Sequence, residues 1–142
     1  TQKTAGGVVY KNGHVLLIKK NKKWDLPKGK IEKKSTKRET AIQEIHEETG
    51  VEKNNLAINC KLAPTKYIKK INGELIIKHT TWYAVKFFGN LDDVLIPDHH
   101  EGITKCQWVS FDKINSKMKK SFPHIIYIIN YYLSLIKKDL IR

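Results

Sequence analysis

Three glutamates are spaced so that they could act together in one site. Glu44, Glu47 and Glu48 are three and four residues apart, which on a helix of about 100° per residue places their carboxylates on one face. Like charges at this spacing repel, so the arrangement favours a bound cation. Mg²⁺ or Mn²⁺ takes oxygen ligands and shares its other positions with substrate phosphates. The spacing therefore indicates a divalent metal site, with a solvated acidic face as the alternative.

The glutamates close a longer motif. It starts at Gly29, directly after Leu26-Pro27-Lys28, passes through Ser35 and ends with the segment 43–51. This motif resembles the Nudix box, in which a glycine, a glutamate, an Arg-Glu pair and two further glutamates stand at fixed spacing. The matching positions are Gly29, Glu44, Ile45, Glu47, Glu48, Gly50 and Val51. The resemblance covers most of the chain and implies an α/β (α+β) Nudix fold, a mixed β-sheet sandwiched between helices.

The resemblance also implies an activity and roles for residues. It implies a hydrolase that cleaves a phosphoanhydride bond in a dinucleoside polyphosphate, a nucleotide sugar or a nucleotide, and it is similar to the group around the dinucleoside tetraphosphate hydrolases. Glu44, Glu47 and Glu48 would hold Mg²⁺ or Mn²⁺, and the backbone of Gly29 would lie beside the metal. The general base would be Glu47, Glu48 or Glu101, which follows Asp98-His99-His100 in a later loop.

Two positions depart from the box. Ser35 stands where the box has its first glutamate, and Gln43 stands where it has arginine. Because both charged partners are missing together, folding should be intact. Gln43 can still donate an amide hydrogen to Glu44, so we expect reduced rather than lost activity. The alternative is a catalytically weakened Nudix domain that serves as a nucleotide-binding or sensing module.

Turn and capping signals predict the elements that position these residues. Asn12-Gly13 should join strands at 8–10 and 15–18, and residues 30–35 should form a loop. Thr36 and Glu39 match a capping box, with Gly50 as the terminator, for a helix over 37–49. A second hairpin at Asn72-Gly73 should have arms 61–71 and 74–88, followed by a strand at 104–109. Pro123 should open a closing amphipathic helix.

The second hairpin is the predicted place for substrate contacts. Lys66, Lys69 and Lys78 would face phosphates, as would Lys28 beside the box, and Tyr67 or Trp82 would offer a platform for a base. Cations that alternate with aromatic residues also raise a third hypothesis, a nucleic-acid binder. On a strand alternate residues face opposite ways, so some of these aromatic residues must belong to the core.

Composition limits the class of protein. The 142 residues fit one domain over 1–142, and there is no transmembrane run or signal peptide, so we expect a soluble cytoplasmic protein with no membrane partner. Cys60 and Cys106 stand apart without a metal-binding pattern. The net charge of +13 favours anionic partners, here a small phosphorylated substrate, although gene composition could also enrich lysine. The chain could be a monomer or a homodimer.

Overall fold

An eight-stranded mixed sheet organises the chain in the computed structural model, which describes residues 1–142. The strands are β1 Gln2–Lys11, β2 His14–Lys20, β3 Lys23–Asp25, β4 Lys28–Lys30, β5 Leu56–Lys61, β6 Thr65–Ile71, β7 Glu74–Phe87 and β8 Ile103–Ser110. The helices are α1 Lys37–Thr49, α2 Phe111–Met118 and α3 Pro123–Lys137, with short 3₁₀ turns at Lys53–Asn55 and His99–Glu101.

The opening hairpin confirms the Asn12-Gly13 signal. Asn12 has a φ of 45° and Gly13 a φ of 74°, the positive values that a two-residue turn between twisted strands requires. Its strands are longer than predicted, because β1 gains further partners: β4 runs antiparallel to its first half, and β7 runs parallel along most of its length. The mixed sheet that the sequence predicts is therefore present.

Strand β7 corrects the prediction of a single arm over 61–71. Its first half pairs with β6 and its second half with β5, both antiparallel. Between these two strands lies Pro64, which has no backbone N–H to continue a ladder, while Leu62 donates its N–H to the carbonyl oxygen of Trp82 at 2.8 Å. The long arm is thus divided at the proline.

Alternation along β7 separates two cores. Trp82 and Ala84 face the layer of α2 and α3, whereas Tyr83 and Val85 face α1. The sheet is therefore sandwiched between helices, as predicted. The closing helix begins at Pro123, as predicted. Helix α2 was not predicted, because its buried residues are only Ile114 and Met118 in a short polar segment. No helix has both the length and the apolar character needed to span a membrane.

Candidate active site

Helix α1 holds the three glutamates on a rigid support. Its capping box is formed as predicted: Glu39 donates its N–H to Thr36 Oγ1 at 3.0 Å, and the Glu39 carboxylate accepts the N–H of Thr36 at 2.9 Å. Gly50 ends the helix with a φ of 79°. Ile45 packs so closely on β1 that a Cβ at Gly7 would lie 2.8 Å from its Cδ1. The helix is fixed at both ends and along its buried face.

The glutamates line one cavity of about 370 Å³. The predicted residues that meet there are Lys28, Gly29, Glu44, Glu47, Glu48, Lys78 and Glu101. They come from β4, α1, β7 and the turn before β8. The structure also places there residues that the sequence analysis missed, namely Lys20, Lys30, Glu32 and Asp98. Lys20 ends β2, and nothing in its local sequence signals the site; only the sheet topology brings it there.

Gly29 lies directly against the carboxylate of Glu44. A Cβ at this position would come within 2.1 Å of Glu44 Cδ and within 2.5 Å of both carboxylate oxygens. Any side chain at position 29 would therefore push Glu44 out of place. The glycine is needed for close approach of the backbone, which is consistent with the role that the resemblance implies.

Burial makes two of these carboxylates difficult to ionise. Glu48 is 4% exposed and accepts the N–H of Lys28 at 3.3 Å. Burial raises its pKa to about 8, against an opposing effect of Lys20. Burial, followed by repulsion from Glu47 and Glu101, raises the pKa of Glu44 to about 7. The lysines of the cavity compensate its negative charge only in part, so a bound cation would stabilise the ionised forms.

The donor set fits Mg²⁺ or Mn²⁺. All the acidic side chains of the cavity offer hard oxygen ligands, and Gly29 leaves space beside Glu44 for a close backbone approach. No three His, Cys, Asp or Glu side chains are gathered into a ready-made metal cluster. The carboxylates share one cavity, which has an excess of negative charge. They would have to move closer together when a metal ion binds.

Two predicted lysines stand opposite the carboxylates. Lys28 forms an ion pair with Asp25 at 3.3 Å, which fixes its side chain at the cavity wall. Lys78 donates a hydrogen bond to Gln2. Burial, followed by the repulsion of Lys69 and Lys28, lowers the pKa of Lys78. Because these lysines repel one another, an anion bound among them would be stabilised. Lys28 and Lys78 line the same cavity as the acidic residues.

The two residues that depart from the box, Gln43 and Ser35, do not make the contact that was predicted between Gln43 and Glu44. Gln43 donates its amide hydrogen to Glu47 Oε1 at 2.6 Å rather than to Glu44, because residues four apart on a helix are neighbours. Ser35 is exposed and its N–H bonds to the carbonyl oxygen of Glu32. The Glu32 side chain lines the cavity from the same loop. A loop carboxylate is therefore present, three residues before the position where the box would have it.

A second, more apolar cavity adjoins the first. It measures about 700 Å³ and lies between β6 and the start of α3. Tyr67 and His124 both line it and stack directly on each other, with ring centroids 4.0 Å apart and planes at 15°. Tyr67 pairs directly with Lys78 in the β6–β7 register, so the stacked rings stand beside the cationic wall of the first cavity. His124 was not predicted, since a single histidine after proline carries no motif.

One residue predicted to contact substrate is buried, and another points away from Tyr67 and Lys78. Trp82 is fully buried and donates its Nε1–H to Thr65 Oγ1 at 2.8 Å, so it cannot serve as a base platform. Lys66 pairs with His79, so its side chain leaves the hairpin on the side opposite to Tyr67 and Lys78, although the residue also borders the second cavity. Lys69 shares the Tyr67 side and lines the second cavity. The predicted lysine group is thus divided between two faces.

The turn before β8 brings Glu101 to the first cavity. Asp98 accepts the N–H of His100 at 3.1 Å, and Gly102 closes the turn with a φ of 77°. Glu101 and Asp98 line the cavity, whereas His99 and His100 are exposed and line a separate surface pocket. The Glu101 carboxylate has no hydrogen-bond partner within the chain. It remains available to interact with a bound molecule.

Known proteins are similar to this chain in sequence. The NUDIX domain family model matches residues 1–128. The chain is 27% identical to an RNA pyrophosphohydrolase of Rickettsia conorii over 74% of its own length and 71% of that protein. It is 28% identical to an RNA pyrophosphohydrolase of Brucella anthropi over 72% of its own length and 60% of that protein.

A solved structure extends the likeness to the fold. The chain is similar to a C. elegans Ap4A hydrolase in a binary complex, with a TM-score of 0.74, 19% identity, and coverage of 97% of this chain and 99% of that one. Together with the family match over residues 1–128, the glutamate-bearing helix and the glycine beside it identify the chain as a member of the NUDIX domain family.

Proposed function

We propose that this chain is a Mg²⁺- or Mn²⁺-dependent hydrolase that cleaves a phosphoanhydride bond in a nucleoside diphosphate-linked compound. One observation carries the proposal: a single cavity sets the α1 carboxylates and Glu101 opposite Lys20, Lys28 and Lys78. Acidic residues alone would describe a metal site, and lysines alone would describe an anion site. Their combination in one cavity suits a metal–diphosphate complex.

The metal would bind at the glutamates of α1. Glu44, Glu47 and Glu48 would hold it, with the backbone of Gly29 close by. When bound, the metal supplies charge neutralisation for the diphosphate. Glu48 is anchored by the N–H of Lys28 and Glu47 by the amide of Gln43. Two of the three carboxylates are thus oriented by hydrogen bonds before anything binds.

Other residues of the same cavity would bind the substrate phosphates and accept the proton of the attacking water. Lys28 and Lys78 would bind phosphate oxygens, and binding would relieve the mutual repulsion that lowers the pKa of Lys78. Lys20 is the principal charge that opposes the rise in the Glu48 pKa. It would also bind phosphate oxygens, from a position between the metal ligands and the phosphate. Glu101 lies at the cavity without an internal partner, and we propose it as the residue that takes the proton of the attacking water. Glu47 and Glu48 are the alternatives within the box.

The nucleoside would bind in the second, more apolar cavity. The stacked Tyr67 and His124 border an apolar cavity next to Lys78. A base that entered there would place its phosphates toward the lysines. Two of the similar proteins are named as RNA pyrophosphohydrolases and one as an Ap4A hydrolase. Substrates with a base attached to several phosphates are therefore the ones to test first.

The test is a panel of dinucleoside polyphosphates, nucleotide sugars, nucleoside triphosphates and a 5′-triphosphorylated oligonucleotide, each with Mg²⁺ and with Mn²⁺. Product analysis should show cleavage of a phosphoanhydride bond. Glu47→Gln and Glu48→Gln should lower turnover by about two orders of magnitude, because electrostatic stabilisation of this kind supplies several kcal/mol. Lys137→Gln, at the far end of α3, serves as the control. Parent-like turnover in both glutamate variants would contradict the assignment.

The binding-module alternative has one observation in its favour: position 43 lacks the cation that the box supplies. It predicts that the parent protein binds members of the panel in calorimetry without hydrolysing them. The same panel therefore decides between the two functions.

A further inference from the structure

The β6–β7 hairpin is exposed to solvent around its turn. At its tip, a Cβ built on Gly73 would meet nothing within 4 Å. One face of the hairpin carries Tyr67 and Lys78, described above. The other face, on the α1 side of the sheet, is not covered by α1. It is formed by the cross-strand pairs Lys66–His79, Ile68–Ile77 and Lys70–Leu75, and it is here called the outer face.

The outer face exposes aliphatic side chains that a folded domain normally buries. Ile68 is 66% exposed, Leu75 is 73% exposed and Ile77 is 44% exposed. They are neighbours across two strands on one side of the hairpin. Scattered apolar residues are common on protein surfaces, but a contiguous apolar strip marks an interaction site.

Lysines surround the strip without carboxylate partners. The only ion pairs in the chain are Lys28–Asp25 and Arg142–Asp139. Burial, followed by the charges of Lys66, Lys37, Lys3 and Lys61, lowers the pKa of His79 at the base of the face. Lys70 lies next to Leu75 across the strands. The cationic ring around an aliphatic centre is thus uncompensated within the molecule.

We infer that the outer face docks on an anionic lipid bilayer, with Ile68, Leu75 and Ile77 entering the interface between headgroups and acyl chains and the surrounding lysines contacting lipid phosphates. This use is distinct from the proposed hydrolysis, because none of the outer-face residues lines the cavity that holds the glutamates.

The chemistry of the face selects a bilayer over other occupants. Aliphatic groups within a lysine ring match the two contributions to interfacial binding, apolar burial and attraction to anionic lipid. Single-stranded nucleic acid stacks its bases on aromatic rings, whereas the aromatic Tyr67 of this hairpin faces the other side and Trp82 is buried. A second copy of the chain would bring another +13 protein against the same lysines, which repulsion opposes.

The test is co-sedimentation of the full chain with vesicles of phosphatidylcholine alone or with one third phosphatidylglycerol, in low salt. Binding should occur only with the anionic vesicles. The double variant Ile68→Thr/Leu75→Thr retains residues suited to strands and should lose at least about tenfold in partition. Lys66→Gln and Lys70→Gln should each weaken partition about fivefold. Leu140→Thr is the matched control, since Leu140 is also 66% exposed but lies near the C-terminus.

Circular dichroism and thermal unfolding would establish that each variant is folded. Equal binding of the parent to neutral and anionic vesicles, no binding to either, or unchanged binding by the aliphatic variant would overturn the inference. The same holds if a single-stranded oligonucleotide displaces the vesicles and its binding depends on Lys66 and Lys70 but not on Ile68 and Leu75. That result would assign the outer face to nucleic acid.

Discussion

The side-chain amide of Gln43 donates a 2.6 Å hydrogen bond to the carboxylate of Glu47, one helical turn further along α1. The bond occupies one oxygen of a proposed metal ligand and leaves the other free. It therefore gives the glutamine a positioning role at a site where the family motif has arginine.

The first prediction tests this positioning. Gln43→Ala should release Glu47 and lower kcat/KM by about three- to tenfold, since an exposed hydrogen bond to a charged group contributes modestly. Gln43→Arg should keep a contact with Glu47 and give at least the parent value. Mn²⁺ affinity, measured by calorimetry without substrate, should follow the same order. An alanine variant equal to the parent in both measurements would show that the bond has no role in the site.

The second prediction concerns pH and the stability of the metal-free protein. The folded-state pKa of Glu48, about 8, lies above its ordinary value of 4.5, so the native state holds more protons than the unfolded state between these values. The contribution of Glu48 to stability is complete below about pH 4.5 and is lost as the pH rises through 8, by roughly 2–4 kcal/mol. With a chelator present, Tm should fall between pH 5 and 8.

Glu48→Gln provides the check on this prediction. The amide cannot ionise, so the decline of Tm with pH should become shallower, with a remaining slope from Glu44. Glu52→Gln, at an exposed glutamate outside the cavity, should retain the slope of the parent. Parallel profiles for all three proteins would mean that Glu48 ionises normally in the folded state.

The third prediction concerns Gly29. Gly29→Ala would place a methyl group about 2 Å from the Glu44 carboxylate, so turnover and Mn²⁺ affinity should both fall by at least about tenfold. Gly73→Ala is a useful comparison, because its φ of 81° strains an alanine but its Cβ meets only open space. That variant should lose about 1 kcal/mol of stability and keep its turnover. If the two alanine variants had the same activity, close approach at Gly29 would be irrelevant.

The fourth prediction concerns the stacked rings. Tyr67→Ala should raise KM about tenfold for a substrate that carries a base, because stacking on an aromatic ring contributes about 1–3 kcal/mol. KM for an alkyl triphosphate, which has no base, should not change. Tyr67→Phe keeps the ring and should behave like the parent. A similar rise in KM for both substrates would instead point to general distortion of the cavity.

The box and its helix could be read from the sequence because their signals are local. Thr36 and Glu39 satisfy each other within one turn, Gly50 ends the helix, and the three glutamates follow from helical spacing. The opening hairpin is equally local, since Asn12-Gly13 fixes its turn.

The rest of the site depends on long-range pairing. Lys20 and Glu32 reach the cavity through the sheet and the loop, and neither carries a motif. The division of Lys66 from Lys78 depends on strand register, and the burial of Trp82 depends on α3, which is contributed from the end of the chain. Gln43 had two glutamates within reach, and side-chain geometry rather than sequence selects Glu47.

The parallel pairing of β1 with β7 has a consequence for the order in which the protein can assemble. Gln2 and Lys78, hydrogen-bonded at the cavity, are 76 residues apart in sequence, so β1 has no parallel partner until the ribosome has also synthesised β7. Closing so long a loop is entropically slow. The glutamate helix can form early, and Lys20 and Lys28 precede it in the chain, whereas Lys78 and Glu101 come later, so a ribosome-bound chain halted before β7 would present the cavity without these two residues.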